Sequence, residues 1–261
     1  MNKRALSLLA MTVFIGSLSA WAAEAPDMKL FEKASQSYRD GNFKEAIADY
    51  EQLASNHPDE AVFFYNLGNS YFRAGKPGPS ILAYERALVR DPRDHDARAN
   101  LNYARGLLEY QVEDKRNWYL KAFDRLLKMV TLEEAYLAAA FFYFLFMTAW
   151  VYVIYFRRGL PWGPVRKTFL ALMVFSFLFL AAKHLQIHMM GDAIVLAKEA
   201  EVRYGPSPSD QVAFRLGEGL KVQVVDRRPG WSRVILASGE SGWVSDDQIG
   251  VVHDESSILG A

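Results

Sequence analysis

The feature that most constrains the fold is an uncharged stretch in the middle of the chain. No residue from 135 to 156 carries a charge, and at about 1.5 Å per helical residue this stretch can cross the roughly 30 Å hydrocarbon core of a bilayer. Thr131 and Glu134, just before it, have the spacing of a helix N-terminal capping box. The sequence therefore predicts a membrane-spanning helix over residues 132–156.

A second apolar block predicts another span over residues 168–187, with the side chain of Lys183 reaching toward the interface. The intervening segment, 157–167, contains four cations and no acidic residue, which is typical of a cytoplasmic loop. Both flanking regions are then expected on the periplasmic side of a bacterial inner membrane. The spans lack the mid-membrane charges and broken helices typical of transporters, so we interpret them as anchors.

The N-terminus has the features of an export signal. Lys3 and Arg4 precede an apolar stretch, and Ala20 and Ala22 provide the small residues of a cleavage site. We predict a cleaved signal peptide over residues 1–22, with an uncleaved N-terminal anchor as the alternative. Either interpretation exports the residues that follow.

Composition excludes several function classes. Lysine plus arginine equal aspartate plus glutamate at 30 each, which gives no support to nucleic-acid binding. The chain has no cysteine, so disulfides, thiolate metal sites and a cysteine nucleophile are excluded. His184 and His188 would share a helix face, but the glutamate of a zinc-protease helix is missing. We find no catalytic motif and expect a non-enzymatic protein without metal or cofactor.

A repeat precedes the spans, with a period of 34 residues, the length of a tetratricopeptide repeat (TPR) unit. Residues 27–60 form the weaker copy, 61–94 the stronger copy, and 95–105 a predicted capping helix, so the repeats cover 27–105. Gly68 is expected to let the second helix of its repeat approach the first. The stronger copy carries the TPR pattern at Phe64, Leu67, Gly68, Tyr71, Gly75, Ser80, Tyr84, Ala87 and Pro92.

The resemblance to TPR proteins implies a groove for an extended peptide, lined by first-helix side chains. The candidate partner-binding residues at those positions are Tyr65, Asn66, Asn69, Arg73, Arg39 and Asn100. Asn66 and Asn69 match asparagines with which some relatives hold a peptide backbone or a C-terminal carboxylate. The lysines of the related carboxylate clamp are replaced by Phe31 and Asp96, so a C-terminal carboxylate ligand is not expected. The alternative is that these polar residues only solvate an exposed face.

Residues 106–131 are predicted to form a linker followed by an amphipathic helix from 118 to 130. Its apolar side chains alternate with charged ones at helical spacing. It could lie on the membrane surface, which we favour, or form an additional TPR helix.

After the second span, residues 192–252 contain five short β-prone runs separated by turns, which predict a small barrel. The segments around Trp231 and Trp243 resemble those of bacterial SH3-like domains. The resemblance implies binding of cell-wall peptides or protein segments, or support of neighbouring domains. We expect both tryptophans in the core rather than on a ligand platform.

The predicted fold class is multi-domain: an all-α TPR helical repeat, two transmembrane helices and a small all-β SH3-like barrel. This domain order resembles the TPR-bearing membrane proteins of the bacterial aerotolerance (Bat, BatE-like) operons. The resemblance implies von Willebrand factor A domain membrane proteins and a MoxR-type ATPase as partners. The expected function is a periplasmic scaffold in an aerotolerance or envelope-stress complex. The alternative is a peptidoglycan-binding protein acting through its SH3-like domain.

Overall fold

The computed structural model describes residues 28–109, 117–156, 162–189 and 191–253. The predicted signal peptide (1–22), the charged part of the linker (113–116) and part of the predicted cytoplasmic loop (157–161) lie outside the described residues. The described helices are α1 (Met28–Arg39), α2 (Phe43–Asn56), α3 (Ala61–Arg73), α4 (Pro77–Arg90), α5 (His95–Gly106), α6 (Trp118–Lys128), α7 (Leu132–Phe156) and α8 (Trp162–Met189).

Helices α1 to α5 pack in sequence as two helix pairs and one further helix. Gly41 and Gly75, one repeat period apart, end the first helices at φ values of 80° and 71°, where only glycine is unstrained. A Cβ at Gly68 would lie 2.6 Å from the Tyr84 ring. The prediction that Gly68 permits close approach of the second helix is therefore confirmed. The main core of the repeats includes Ala34, Tyr50, Leu53, Phe63, Phe64, Leu67, Ala83, Ala87 and Ala97.

Helices α7 and α8 form a long hairpin. The segments Leu132–Tyr152 and Gly163–Leu185 are long and apolar enough to cross a membrane by length and composition. The predicted capping box is confirmed, because the Thr131 amide donates to Glu134 Oε2 at 3.1 Å and the Glu134 amide donates to Thr131 Oγ1 at 3.2 Å. Helix α8 begins at Trp162, so assigning all of 157–167 to a loop was wrong for its last six residues.

Helix α6 presents most of its apolar side chains outward. Trp118 is 80% exposed, and Phe123 and Leu126 are each 47% exposed, whereas Leu127 is buried. A TPR helix would bury such a face against its neighbours. The exposure favours the interpretation of α6 as an interfacial helix.

The C-terminal region is an antiparallel sheet with the strand order β3-β2-β6-β5-β4-β1-β7. Its strands are β1 (Gly191–Val195), β2 (Glu199–Arg203), β3 (Val212–Gly217), β4 (Lys221–Arg228), β5 (Trp231–Ile235), β6 (Ser241–Ser245) and β7 (Ile249–Val251). The expectation of five strands was wrong, since β3 and β7 were missed. Most of β3 is half-buried or exposed, and β7 has three residues, so neither has a clear alternating pattern. The predicted fold class of repeat helices, apolar helices and SH3-like sheet is confirmed.

The sheet packs directly on the repeats. Ile194 of β1 and Val252 after β7 share a buried cluster with α4 and α5, whose members there are Ile81, Leu82, Tyr84, Leu101 and Ala104. This apolar surface of α4 and α5 is what the second helix of a third repeat would cover. The sheet takes the place of that missing helix.

Candidate functional site

The first-helix side of the repeats carries a connected set of polar side chains. Asn69 Oδ1 accepts hydrogen bonds from the Tyr84 hydroxyl at 2.7 Å and from Asn100 Nδ2 at 2.9 Å. Asn100 Nδ2 also lies 3.4 Å from the Tyr65 hydroxyl. Three predicted site residues, Tyr65, Asn69 and Asn100, are thus brought together across α3 and α5.

Asn66 lies one helical turn before Asn69 and has a different environment. Its Nδ2 donates to the Val62 carbonyl at 2.9 Å, and no partner for its Oδ1 occurs in the described part of the chain. Asn66 therefore offers an acceptor to a ligand without breaking a contact between helices. An asparagine amide in this position can hold the backbone of an extended peptide.

The two candidate arginines lie at the other end of this face. The Arg73 guanidinium stacks 4.9 Å from the centre of the Phe43 ring and 5.9 Å from that of Tyr38. Arg39 is held by Gln36 on its own helix, with Nη2 donating to Oε1 at 2.6 Å. The structure does not link either arginine to the Asn69 network. They form a separate exposed cationic end of the same face.

Tyr84 completes the network, and sequence reasoning did not assign it to the site. It comes from the second helix, where the repeat pattern assigns it only to packing. Burial raises the pKa of Tyr84 to about 12, so the phenol stays protonated at neutral pH and remains a donor to Asn69. The small residue at Gly68 could have indicated this role, because it lets the Tyr84 ring lie directly against the first helix, next to Asn69.

The opposite side of α4 carries an ion cluster that reaches the sheet, in which Asp192 is buried and Glu85 and Lys221 are half-buried. Lys221 Nζ lies 3.1 Å from Glu85 Oε1 and 2.6 Å from Asp192 Oδ2. Arg105 of α5 also pairs with Glu85, and Lys128 Nζ of α6 lies 3.5 Å from Asp192 Oδ2. The cluster ties repeats, sheet and α6 together.

The pKa values within this cluster follow from burial and charge. Burial alone would raise the pKa of Asp192, but Lys221 and Lys128 outweigh it and lower the pKa to about 2. Burial likewise opposes ionisation of Glu85, yet Lys221 and Arg105 hold its pKa below the usual range. Burial would lower the pKa of Lys221, and the two carboxylates raise it instead. The three groups are therefore charged together at neutral pH.

Two further contacts join α4 to the sheet domain. The Gly78 amide donates to Glu218 Oε1 at 3.0 Å, and Arg86 Nη2 donates to the Val251 carbonyl at 2.9 Å. A Cβ at Gly78 would lie 2.8 Å from the Val195 carbonyl oxygen, so glycine is needed for this approach. Residues in these pairs are far apart in sequence, and their types gave no sign of the contact.

The two tryptophans of the sheet are not equally buried. Trp243 is 8% exposed, with the Arg228 guanidinium 5.1 Å from its ring centre. Trp231 is half-buried at the start of β5. The core prediction is confirmed for Trp243, whereas Trp231 lies at the edge of the core.

The helical repeats and the C-terminal sheet each match a known family. The family described as tetratricopeptide repeat matches residues 31–95 and 65–111, and the family described as bacterial SH3 domain matches residues 197–249. The chain contains tetratricopeptide repeats and a bacterial SH3 domain. The second TPR match includes α5, in agreement with its place as the start of a third, incomplete unit. No curated protein matches the chain.

Within residues 28–109, 117–156, 162–189 and 191–253, no group of three histidine, aspartate or glutamate side chains could hold a metal ion. His184 is exposed on α8, and the side chain of His188 lies outside what the structure describes. The absence of a cofactor stays a prediction.

Proposed function

We propose that this protein is a non-enzymatic, membrane-anchored scaffold whose TPR face binds an extended segment of a protein partner. The observation that carries the proposal is the unequal use of the two sides of the repeats. The SH3 domain occupies the α4–α5 side through the Ile81–Ile194 cluster, which leaves the Tyr65, Asn69 and Asn100 side for a ligand. The ordered amides on that side suit a peptide backbone.

The proposed site centres on Asn66. Asn69 uses its oxygen to hold Tyr84 and Asn100, so its substitution would alter the groove itself. Asn66 makes a hydrogen bond only within its own helix. Asn66→Ala therefore removes a ligand contact with little effect on folding.

The experiment is a crosslinked pull-down of the tagged full-length protein, comparing the wild type with Asn66→Ala. The matched control is Lys198→Ala, an exposed substitution in the SH3 domain. We expect Asn66→Ala to reduce recovery of specific partners about tenfold, in the range of a hot-spot residue, and the control to leave it unchanged. Equal recovery from wild type and Asn66→Ala would remove the groove from the proposal.

We base the proposed identity of these partners on the resemblance to the aerotolerance operon proteins. It points to membrane proteins with von Willebrand factor A domains and a MoxR-type ATPase system, in a complex that protects the cell envelope. Mass spectrometry of the crosslinked material tests this part separately. Specific partners of other families would leave the scaffold intact and refute the operon assignment.

We further propose that both domains face the periplasm from the inner membrane. The proposal is supported by the four cations of segment 157–167 and by the two apolar helices. Because the chain has no cysteine, Lys198→Cys and Lys167→Cys each create a unique thiol. A membrane-impermeant maleimide should label the first and not the second in intact spheroplasts, and the reverse pattern would invert the topology.

A second candidate function, peptidoglycan binding, is favoured by the bacterial SH3 domain match. Among the described residues of this domain, Tyr204 is the most exposed aromatic side chain, at 73%, and it is the candidate contact for a sugar or peptide. Detergent-solubilised full-length protein should then sediment with purified sacculi, and Tyr204→Ala should lose this property. Failure of the wild-type protein to sediment would reject this function.

A further inference from the structure

A large cavity lies where the repeats, the SH3 domain and the membrane helices meet. Its volume is about 1320 Å³, and it is bounded by α4, α5, α6, both long helices and the sheet. It is separate from the TPR groove, since Tyr65, Asn66 and Asn69 do not line it. Nothing in the scaffold function requires an opening of this size.

The lining carries an excess of positive charge. Two acidic residues, Glu85 and Asp192, face six cations: Arg98, Arg105, Arg125, Lys128, Lys183 and Lys221. The two carboxylates are already engaged by Lys221, Arg105 and Lys128. In the described part of the chain, neither Arg98 nor Arg125 forms an ion pair with a carboxylate. Arg98 donates to the Pro92 carbonyl, and Asp124 lies near Lys183. The lining therefore keeps an excess of positive charge, which favours an anion.

Two buried groups in the lining have unused hydrogen-bonding capacity. Lys183 is only 8% exposed and donates to the Leu127 carbonyl at 2.9 Å, which satisfies one of three ammonium donors. His253 Nδ1 is buried and has no hydrogen-bond partner among the described residues. Burying an ammonium is costly, and an anionic ligand would add a negative charge to that of Asp124, which lies near Lys183.

The cavity lies at the level where a bilayer surface would be. Thr131 and Leu132, at the start of α7, line it, as does Lys183, two residues before the apolar segment of α8 ends at Leu185. The exposed apolar side chains of α6 border the same level, as in an interfacial helix. Phosphate groups of membrane lipids lie at this depth.

We propose that this cavity binds the phosphate headgroup of an anionic phospholipid from the leaflet that adjoins the TPR and SH3 domains. Arginine and lysine side chains are the usual partners of phosphate oxygens. Arg98 and Arg125 hold the phosphate from α5 and α6, and Lys183 contacts it from below. The proposal rests on the membrane anchoring proposed above but not on the TPR groove.

The test uses full-length protein purified into mixed micelles with equal amounts of phosphatidylglycerol and phosphatidylcholine, and native mass spectrometry of the retained lipid. We expect selective retention of phosphatidylglycerol. Arg98→Gln with Arg125→Gln should weaken retention about 30-fold, since each cation near an anionic headgroup contributes a factor of about five. Lys198→Gln, the matched control away from the cavity, should retain lipid like the wild type.

Neither arginine belongs to the ion cluster, so the double variant should fold. If its thermal transition is lost, the single variant Arg125→Gln, at an exposed residue, replaces it. This variant should weaken lipid retention about fivefold. Equal retention of both lipids, or unchanged retention by the variant, would overturn the proposal. Protection of the wild type by inorganic phosphate in neutral micelles, without lipid selectivity, would overturn the lipid as the source of the anion. Carbonate extraction of membranes tests the membrane anchoring independently. A protein that is not anchored can therefore be told apart from an anchored protein that does not bind the lipid.

Discussion

Both sides of the TPR region carry connected polar side chains, but the two sets have different partners. On the first-helix side, Asn69, Asn100 and Tyr65 are half-buried and hydrogen-bond to one another, on a face that the SH3 domain does not cover. On the second-helix side, the half-buried Glu85 and Lys221 form an ion pair with a second domain, beside the buried Ile81 and Ile194. Polar groups that hydrogen-bond within one uncovered face can serve a ligand, whereas ion pairs that join two domains fix the position of the neighbouring domain.

This difference explains how an array so short can be stable. TPR units bury their faces against neighbours, and about three units are needed for stability. Here α5 begins a third unit, and β1 and β7 cover the surface that its second helix would bury. The SH3 domain thus has a structural role that does not depend on any ligand of its own.

The largest loss of stability should come from breaking the ion cluster on the second-helix side. Lys221→Met should destabilise the protein by about 3 kcal/mol, at the low end for a disrupted buried pair, because Arg105 and Lys128 still accompany the two carboxylates. Thermal unfolding of full-length protein in detergent measures it, with Lys198→Met as the exposed control. Equal stability of the two variants would show that the cluster does not hold the domains.

The same cluster should make the stability of the protein sensitive to acid. Lowering of the Asp192 pKa from 3.8 to about 2 corresponds to about 2 kcal/mol of stability at neutral pH. Because the native pKa is the lower one, this stability is present above pH 4 and is lost as the pH falls toward 2. Comparing thermal unfolding at pH 6 and pH 2.5, we expect a smaller loss for Asp192→Asn than for wild type.

The control for this pH dependence is Asp226→Asn, which changes an exposed carboxylate of β4. It should keep the acid sensitivity of the wild type. An acid sensitivity of Asp192→Asn equal to that of the wild type would assign the effect to other carboxylates.

A substitution at the contact between α4 and the sheet tests the docking sterically. Gly78→Ala places a methyl group against the Val195 carbonyl and should cost about 2 kcal/mol, as overpacking does. Gly106→Ala is a matched control near the end of α5, where a Cβ meets no atom within 4 Å. The control should be neutral or slightly stabilising, and a similar result for Gly78→Ala would contradict the tight docking.

The smallest effects on stability are expected on the first-helix side. There, substitutions of two asparagines one helical turn apart should differ in their cost. Asn69→Ala leaves the Tyr84 hydroxyl without its acceptor and should cost about 1 kcal/mol of stability. Asn66→Ala should stay within about 0.5 kcal/mol of wild type. Thermal unfolding distinguishes them, and equal destabilisation by both would assign Asn66 a structural role as well.

Much of this architecture could be predicted from local sequence patterns. The spacing of Gly68, Tyr71 and Tyr84 indicated the repeat, because close helix packing needs a small residue opposite a large one. The absence of charge indicated the long helices, and the spacing of Thr131 and Glu134 indicated a helix start. Each of these signals arises from neighbours within one or two turns of the chain, or within one repeat.

The docking of the SH3 domain could not be predicted, because its contacts join residues far apart in sequence. Lys221 and Glu85 have no periodic relation, and an isolated charged residue in a helix is more often solvated than buried. Strand β3 was missed for a related reason, since its half-exposed pattern lacks alternation. In the candidate site, periodicity placed Asn69 on the groove face but could not show that Tyr84 already occupies its oxygen.

The connection between α8 and β1 has a consequence for partner choice. Only residue 190 separates the end of α8 at Met189 from the start of β1 at Gly191, and the sheet is packed on the repeats. The TPR face is therefore carried at a set height above the end of the helix hairpin, rather than on a long flexible arm. Under the proposed function, recognition of a partner embedded in the same bilayer depends on the reach of that partner's own tether as well as on its sequence. A tether that cannot span the gap gives no effective concentration at the groove.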